Sequence, residues 1–209
     1  MPKPTSMLIV AATENELPKL NGQFSNLKID SLVTGVGMVA TTFALTQKLM
    51  NSHFDLVINL GIAGSFSEQC EIGNVLQVTS DRLVELGAED HDNFLPADGM
   101  GLVDSNDLRF ESMLEIPNLR KVSGITVNRV HGNESSIKNV VEQFNPKVES
   151  MEGAAVAYVC SKMNVDWVQV RSISNKVEPR NRDAWNIPLA IENLHKEVLV
   201  YLEQLNDEA

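Results

Sequence analysis

Two cysteines, Cys70 and Cys160, are all that the sequence contains, and they lie far apart with no CxxC spacing. That pattern excludes a disulfide framework and a thiolate metal centre, and it reads as two reduced thiols. The four histidines, His53, His91, His131 and His195, are scattered without ligand spacing, so no metal site is expected. Basic residues are in deficit. The net charge of −11 argues against a nucleic-acid partner, which needs a basic face, although a local Arg cluster can still hold a small anion. Long apolar runs are missing too, so no membrane span is expected. The opening MPKPTSMLIVAATENEL has an apolar run too short for a signal h-region and meets acid at once, which predicts a cytoplasmic protein. Repeats, linkers and composition breaks are absent, and the reading is one domain over 1–209. GVGMVA lacks the third glycine of a dinucleotide fingerprint, and no acid closes the next strand at the expected distance, so a nicotinamide oxidoreductase is disfavoured. No cofactor is expected.

What is present is an ordinary globular composition, 43% hydrophobic and 22% charged over 209 residues. Short β-rich runs alternate with amphipathic stretches, which predicts an α/β fold. Met7–Ala12 (MLIVAA) suits a strand buried on both faces. A short helix is expected from Glu14, with Pro18 near its start. Ile29–Thr34 reads as a strand, Gly35-Val36-Gly37 as a tight turn, and Val39–Met50 as a helix with Val39, Phe43 and Met50 inward beside Ala40 and Ala44. Asp55–Leu60 is a third strand, closed by a loop at Gly61-Ile62-Ala63-Gly64. Further strands are expected at Asn74–Thr79, Lys121–Val127, Pro146–Ser150 and Trp167–Ser174, a long irregular segment at 86–106, and a helix over Glu152–Met163. The last helix is marked by Ile187, Ala190, Ile191, Leu194, Val198, Tyr201, Leu202 and Leu205, with Asn186 as N-cap and Pro188 in its first turn.

AATENE (11–16), GVG (35–37), NLGIAG (59–64), VESMEGAA (148–155) and VRSISN (170–175) stand in one order over nearly the whole chain. Together they resemble the nucleoside phosphorylase/nucleosidase superfamily. The pair VESMEGAA and VRSISN is the most specific element. SISNKVEPRNRDAWNIPLAIENL, with LGAED at 86–90, is similar to one branch, the futalosine hydrolases. The resemblance implies a three-layer α/β/α fold with a mixed, partly barrel-like sheet. It also implies a homo-oligomer, with a dimer favoured, and a small purine nucleoside as the binding partner.

Breaking a ribosyl–purine bond develops an oxocarbenium ion on the sugar and negative charge on the base. The chemistry needs a carboxylate near the ribose, a placed nucleophile and donors at the purine. The resemblance assigns Glu152 to the ribose hydroxyls, the Met151 backbone to the underside of the sugar, Glu16 to the attacking water and Arg171 to orienting the carboxylates. Ile62, Gly64 and Ser174 join the binding set. Either acid also suits a helix N-terminus with no further role. Asn175 stands where adenine-releasing nucleosidases usually carry Asp. Its amide donates to a 6-oxo group, which favours hypoxanthine or guanine as leaving group, although an Asn also suits a turn there. Asn59 and Ile62 occupy the phosphate-binding places of phosphorylases without supplying a cation, which favours water over phosphate. Arg180 and Arg182 are candidates to grip a substrate carboxylate while Trp185 covers an aromatic ring, with a solvated loop as the plainer alternative. His131-Gly132-Asn133-Glu134-Ser135 lacks the aromatic that stacks on adenine in relatives, which leaves Phe94 or Phe66 to cover the base. His131 reads either as a ligand contact or as a polar cap. The competing readings are a methylthioadenosine/S-adenosylhomocysteine nucleosidase, a phosphorylase and a non-catalytic nucleoside-binding protein.

Overall fold

The computed structural model describes residues 4–20, 22–91 and 93–208. The apolar run at the start forms β1 (Ser6–Ala11), and its alternation serves two cores. Met7, Ile9 and Ala11 enter one cluster, while Leu8 and Val10 enter another on the opposite face. Then follow β2 (Lys28–Val33), α1 (Met38–Asn51), β3 (Leu56–Ser65), β4 (Val75–Arg82), β5 (Gly87–Asp90), β6 (Asn93–Pro96), β7 (Arg109–Glu111), β8 (Arg120–Thr126), α2 (Glu134–Phe144), β9 (Val148–Ser150), α3 (Gly153–Met163), β10 (Asp166–Lys176) and α4 (Ile187–Glu208).

The main sheet has eight strands, running β10-β4-β8-β9-β3-β1-β2 with β7 on β4. A further β10–β3 pairing closes β3, β10, β4, β8 and β9 into a ring, from which β1 and β2 extend. The sheet is mixed: β3 runs parallel to β1 and β10 but antiparallel to β9. Leu45 and Leu49 of α1 pack with Ala154, Val156 and Val159 of α3 on one face. Leu194, Val198 and Leu202 of α4 pack on the other. These are the three layers that the resemblance implies. In α4 the predicted stripe is the buried one, and Asn186 caps it by accepting from Leu189 N at 3.2 Å.

Several expectations are corrected. The helix expected from Glu14 is a single 3-10 turn, Glu14–Glu16, that ends before Pro18. In α1, Val39, Phe43 and Met50 point outward at 83%, 71% and 72% exposure. Thr41, Leu45 and Leu49 face the core instead, and the buried Thr41 hydroxyl is satisfied by Thr34 Oγ1 at 3.1 Å. NLGIAG is no loop, because β3 continues through it to Ser65. The segment 86–106 holds the β5–β6 hairpin and a 3-10 turn at Ser105–Asp107. Helix α2 stands over a stretch for which the sequence reading assigned no element; Asn133 caps it by accepting from Ser135 N and Ser136 N. Among the described residues no helix is long and apolar enough to cross a membrane. Both thiols are free and buried, and burial pushes the Cys160 thiol up to about 12.

Candidate active site

β3 is the floor of the site: Ile62, Ala63 and Gly64 line the cavity, and Gly61 lies just before them. Gly61 pairs with Arg171 on β10, and Gly64 lies between Asn175 on β10 and Glu149 on β9. A methyl on Gly61 would sit 2.5 Å from Arg171 Nη1 and 3.1 Å from Glu16 Oε1. One on Gly64 would meet Val177 Cγ2 at 2.8 Å, Asn175 Nδ2 at 3.2 Å and Glu149 Cγ at 3.4 Å. The register of β10 against β3 slips between Ile173 and Asn175, and such a bulge re-aims the side chain that follows.

Glu16 comes from the 3-10 turn after β1 and is buried at 8% exposure. Its Oε2 accepts from Thr13 N at 3.0 Å and Thr13 Oγ1 at 2.8 Å, and its Oε1 accepts from Ile62 N at 3.2 Å. The residue therefore steadies a helical turn and lines the cavity at the same time. Glu152 behaves otherwise. It holds the N-cap position of α3 but makes no side-chain cap. Its Oε1 instead accepts from Gly37 N at 2.9 Å, across the cavity mouth in the turn before α1. Gly37 sits at φ 92°, a left-handed conformation that suits glycine. Burial raises the Glu152 pKa, Arg171 and the Gly37 amide oppose that rise, and the negative charge of Glu16 adds to it.

Both carboxylates, with Ile62, Gly64, Met151, Ser174, Asn175 and Trp185, line one cavity of about 370 Å³. Eight of the residues singled out from the sequence thus converge. Arg171 does not line it. It is buried at 1% exposure behind Gly61, donates only to Asn59 Oδ1 at 3.4 Å, and leaves Nε and Nη2 without a partner among the described residues. Burial lowers its pKa, against the pull of Glu152, Glu16 and Asp81. Its influence on the acids is through charge rather than contact. Arg180 and Arg182 are exposed and are not among the cavity walls; Arg180 lies 5.5 Å over the Trp185 ring, at the rim. Phe66 and Phe94 do not line the cavity either. Phe66 meets His131 edge-on at 6.1 Å, and Phe94 belongs to β6.

Asn175 is clamped in place. Its Oδ1 accepts from Ser174 Oγ at 2.8 Å, and its Nδ2 donates to Lys176 O at 2.9 Å. Asn186 N donates to Ser174 O at 2.9 Å, which ties the segment leading into α4 to the same strand. The described cavity walls carry the carboxylates Glu16, Glu149 and Glu152 and no Lys or Arg. Two wall residues, Glu149 and His131, received less weight in the sequence than the structure gives them. The signal for Glu149 was an acid inside a short buried strand, where an unpaired charge is costly. Among the described residues no cluster of three or more His, Cys, Asp and Glu side chains is placed to hold a metal ion.

Residues 20–203 match the profile of the phosphorylase superfamily. The chain belongs to that superfamily. It is 31% identical to the futalosine hydrolase of Acidothermus cellulolyticus over 175 residues, 79% of this chain and 71% of that protein. It is 27% identical to the aminodeoxyfutalosine nucleosidase of Helicobacter pylori over 168 residues, 76% and 72% of the two chains. In fold it is similar to the methylthioadenosine/S-adenosylhomocysteine nucleosidase of Colwellia psychrerythraea solved with adenine, at TM-score 0.81 and 20% identity over 97% and 96% of the chains.

Proposed function

We propose that this superfamily member hydrolyses the N-glycosidic bond of a 6-oxopurine nucleoside. The substrate is futalosine, the products are hypoxanthine and dehypoxanthine futalosine, and the setting is cytoplasmic menaquinone biosynthesis. The observation that carries the proposal is the convergence of Glu16 and Glu152 in one cavity whose described walls offer no Lys or Arg. A phosphate nucleophile would lack charge-assisted donors there, whereas water needs only a base. Glu16 orients the water and takes its proton as the oxygen attacks the anomeric carbon. Glu152 binds the ribose hydroxyls and stabilises the cationic sugar, with Arg171 acting on both acids from behind the floor. Asn175 donates to the 6-oxo group. The relatives named for futalosine chemistry support this choice of substrate.

The adenine-releasing alternative shares the same acids and is favoured by the fold likeness to methylthioadenosine nucleosidases. The two differ at Asn175, so base release from futalosine, inosine and methylthioadenosine, with and without phosphate, separates them. Hypoxanthine release from futalosine that is indifferent to phosphate is the expected result. Faster adenine release from methylthioadenosine, or a ribose-1-phosphate-type product, overturns it. Glu16→Gln is expected to bind nucleoside and lose turnover, whereas a non-catalytic binder would be untouched. The protein acts as a dimer joined through the outward face of α1, where Val39, Phe43 and Met50 lie open beside the cavity-lining Val36.

A further inference from the structure

Asn175 leaves a chemical problem unsolved at the base end of the cavity. Departure of the purine as a free anion is slow, and a carboxamide supplies hydrogen bonds but no proton. A second group stands beside it. Glu149 is buried at 2% exposure on β9, across Gly64 from Asn175. Its two oxygens accept from one residue: Oε1 from His131 N at 3.0 Å, and Oε2 pairs with His131 Nδ1 at 2.6 Å. With a carboxylate on Nδ1, that nitrogen is the one that keeps hydrogen in the neutral ring, so a second proton taken up by the ring sits on Nε2 and is the one it can give away. Nε2 has no protein partner among the described residues, and His131 is one of the residues that line the cavity. Phe66 packs edge-on against the ring at 6.1 Å, which restricts its rotation. A cavity-lining histidine oriented by a buried carboxylate, with its other ring nitrogen unpartnered by protein, is suited to hold and hand over a proton.

We infer that His131 is the acid that protonates the departing purine, with Glu149 as its positioning partner; this rests on the nucleosidase reading above. The C1′–N9 bond breaks and its electron pair stays on the purine. The proton on His131 Nε2 passes to N7, and water oxygen bonds C1′ as its proton goes to Glu16. His131 ends neutral and Glu16 protonated, and proton exchange with solvent restores both.

The test compares futalosine with p-nitrophenyl riboside, whose leaving group departs as a stable anion and needs no proton. His131→Gln is expected to lower kcat on futalosine by about 100-fold or more and to leave the p-nitrophenyl substrate within about twofold. Glu149→Gln should show a smaller loss with the same selectivity. Added imidazole should restore futalosine turnover to His131→Ala, which tests the proton itself should His131→Gln pack poorly. Equal losses on both substrates, no loss on futalosine, or no rescue by imidazole overturns the role of His131. Wild-type protein that releases no base from futalosine, inosine or methylthioadenosine overturns the nucleosidase reading itself.

Discussion

Glu152 occupies a helix cap and leaves the helix amides to other partners, because its carboxylate reaches across to Gly37 instead. Burial is the largest influence on it and raises its pKa, and the nearby Glu16 pushes the same way. In the proposed reaction it is the charged form that stabilises the cationic sugar, so activity is expected to fall as pH drops through that raised value. The acidic limb of kcat/KM is therefore expected above the ordinary glutamate value of 4.5. Glu152→Gln should remove that limb and lower the rate by about 100-fold or more, which a kcat/KM profile reads directly. These residues were legible in sequence because acid, glycine and small residues fall at strand ends in a recognisable order. Arg171 was legible as a buried cation but not as one set behind the floor, since alternation along β10 gives a face and not a depth. Arg180 and Arg182 were read from charge beside the site, and charge alone does not say which way a loop turns.

Among the elements, α3 begins against a cluster that the sequence does not advertise. Asp81 on β4 is fully buried and accepts from Thr126 Oγ1 at 3.1 Å and Gln169 Nε2 at 3.0 Å, close under Gly153. Burial raises its carboxyl to about 6 from 3.8, against the pull of its donors and Arg171. Between those values the native state holds a proton that the unfolded chain has lost. Stability therefore falls as pH rises through the window, and the cost persists above it. Its size is on the order of 3 kcal/mol. Asp81→Asn should flatten this dependence, measured by urea unfolding below and above the window. At the same scale, α1 carries two stripes at helical spacing, Val39/Phe43 and Thr41/Leu45/Leu49. Periodicity finds such stripes but cannot rank them when the buried one includes a threonine whose hydroxyl finds a partner. Gly61 and Gly64 look like turn residues in the sequence, which is why its pattern ends β3 at Leu60. In the structure they are strand residues pressed against side chains from β9 and β10.

The whole molecule has a ring of strands covered by helices, yet one helix face is bare. Val39, Phe43 and Met50 are 83%, 71% and 72% exposed along α1, an apolar strip that the proposed dimer would cover. Phe43→Asp is expected to convert a dimer into a monomer in sedimentation, with the fold intact by circular dichroism. Activity should fall with it if the second copy abuts the mouth near Val36. The layer order, the closing helix and the two acids were recoverable from pattern and resemblance. The closure of β3 onto β10 was not, because pairing between distant strands leaves no local trace.

The bare glycine stretch of β3 also limits how this catalyst can be retailored. A carbon at Gly64 would press on Val177 Cγ2 at 2.8 Å, so in the proposed reaction base preference is expected to resist change from below. It is expected to yield from the flanks, at 149 and 175, which share Gly64 as a common neighbour. Those two sites are therefore coupled, and a screen that varies them one at a time will miss the combinations that fit.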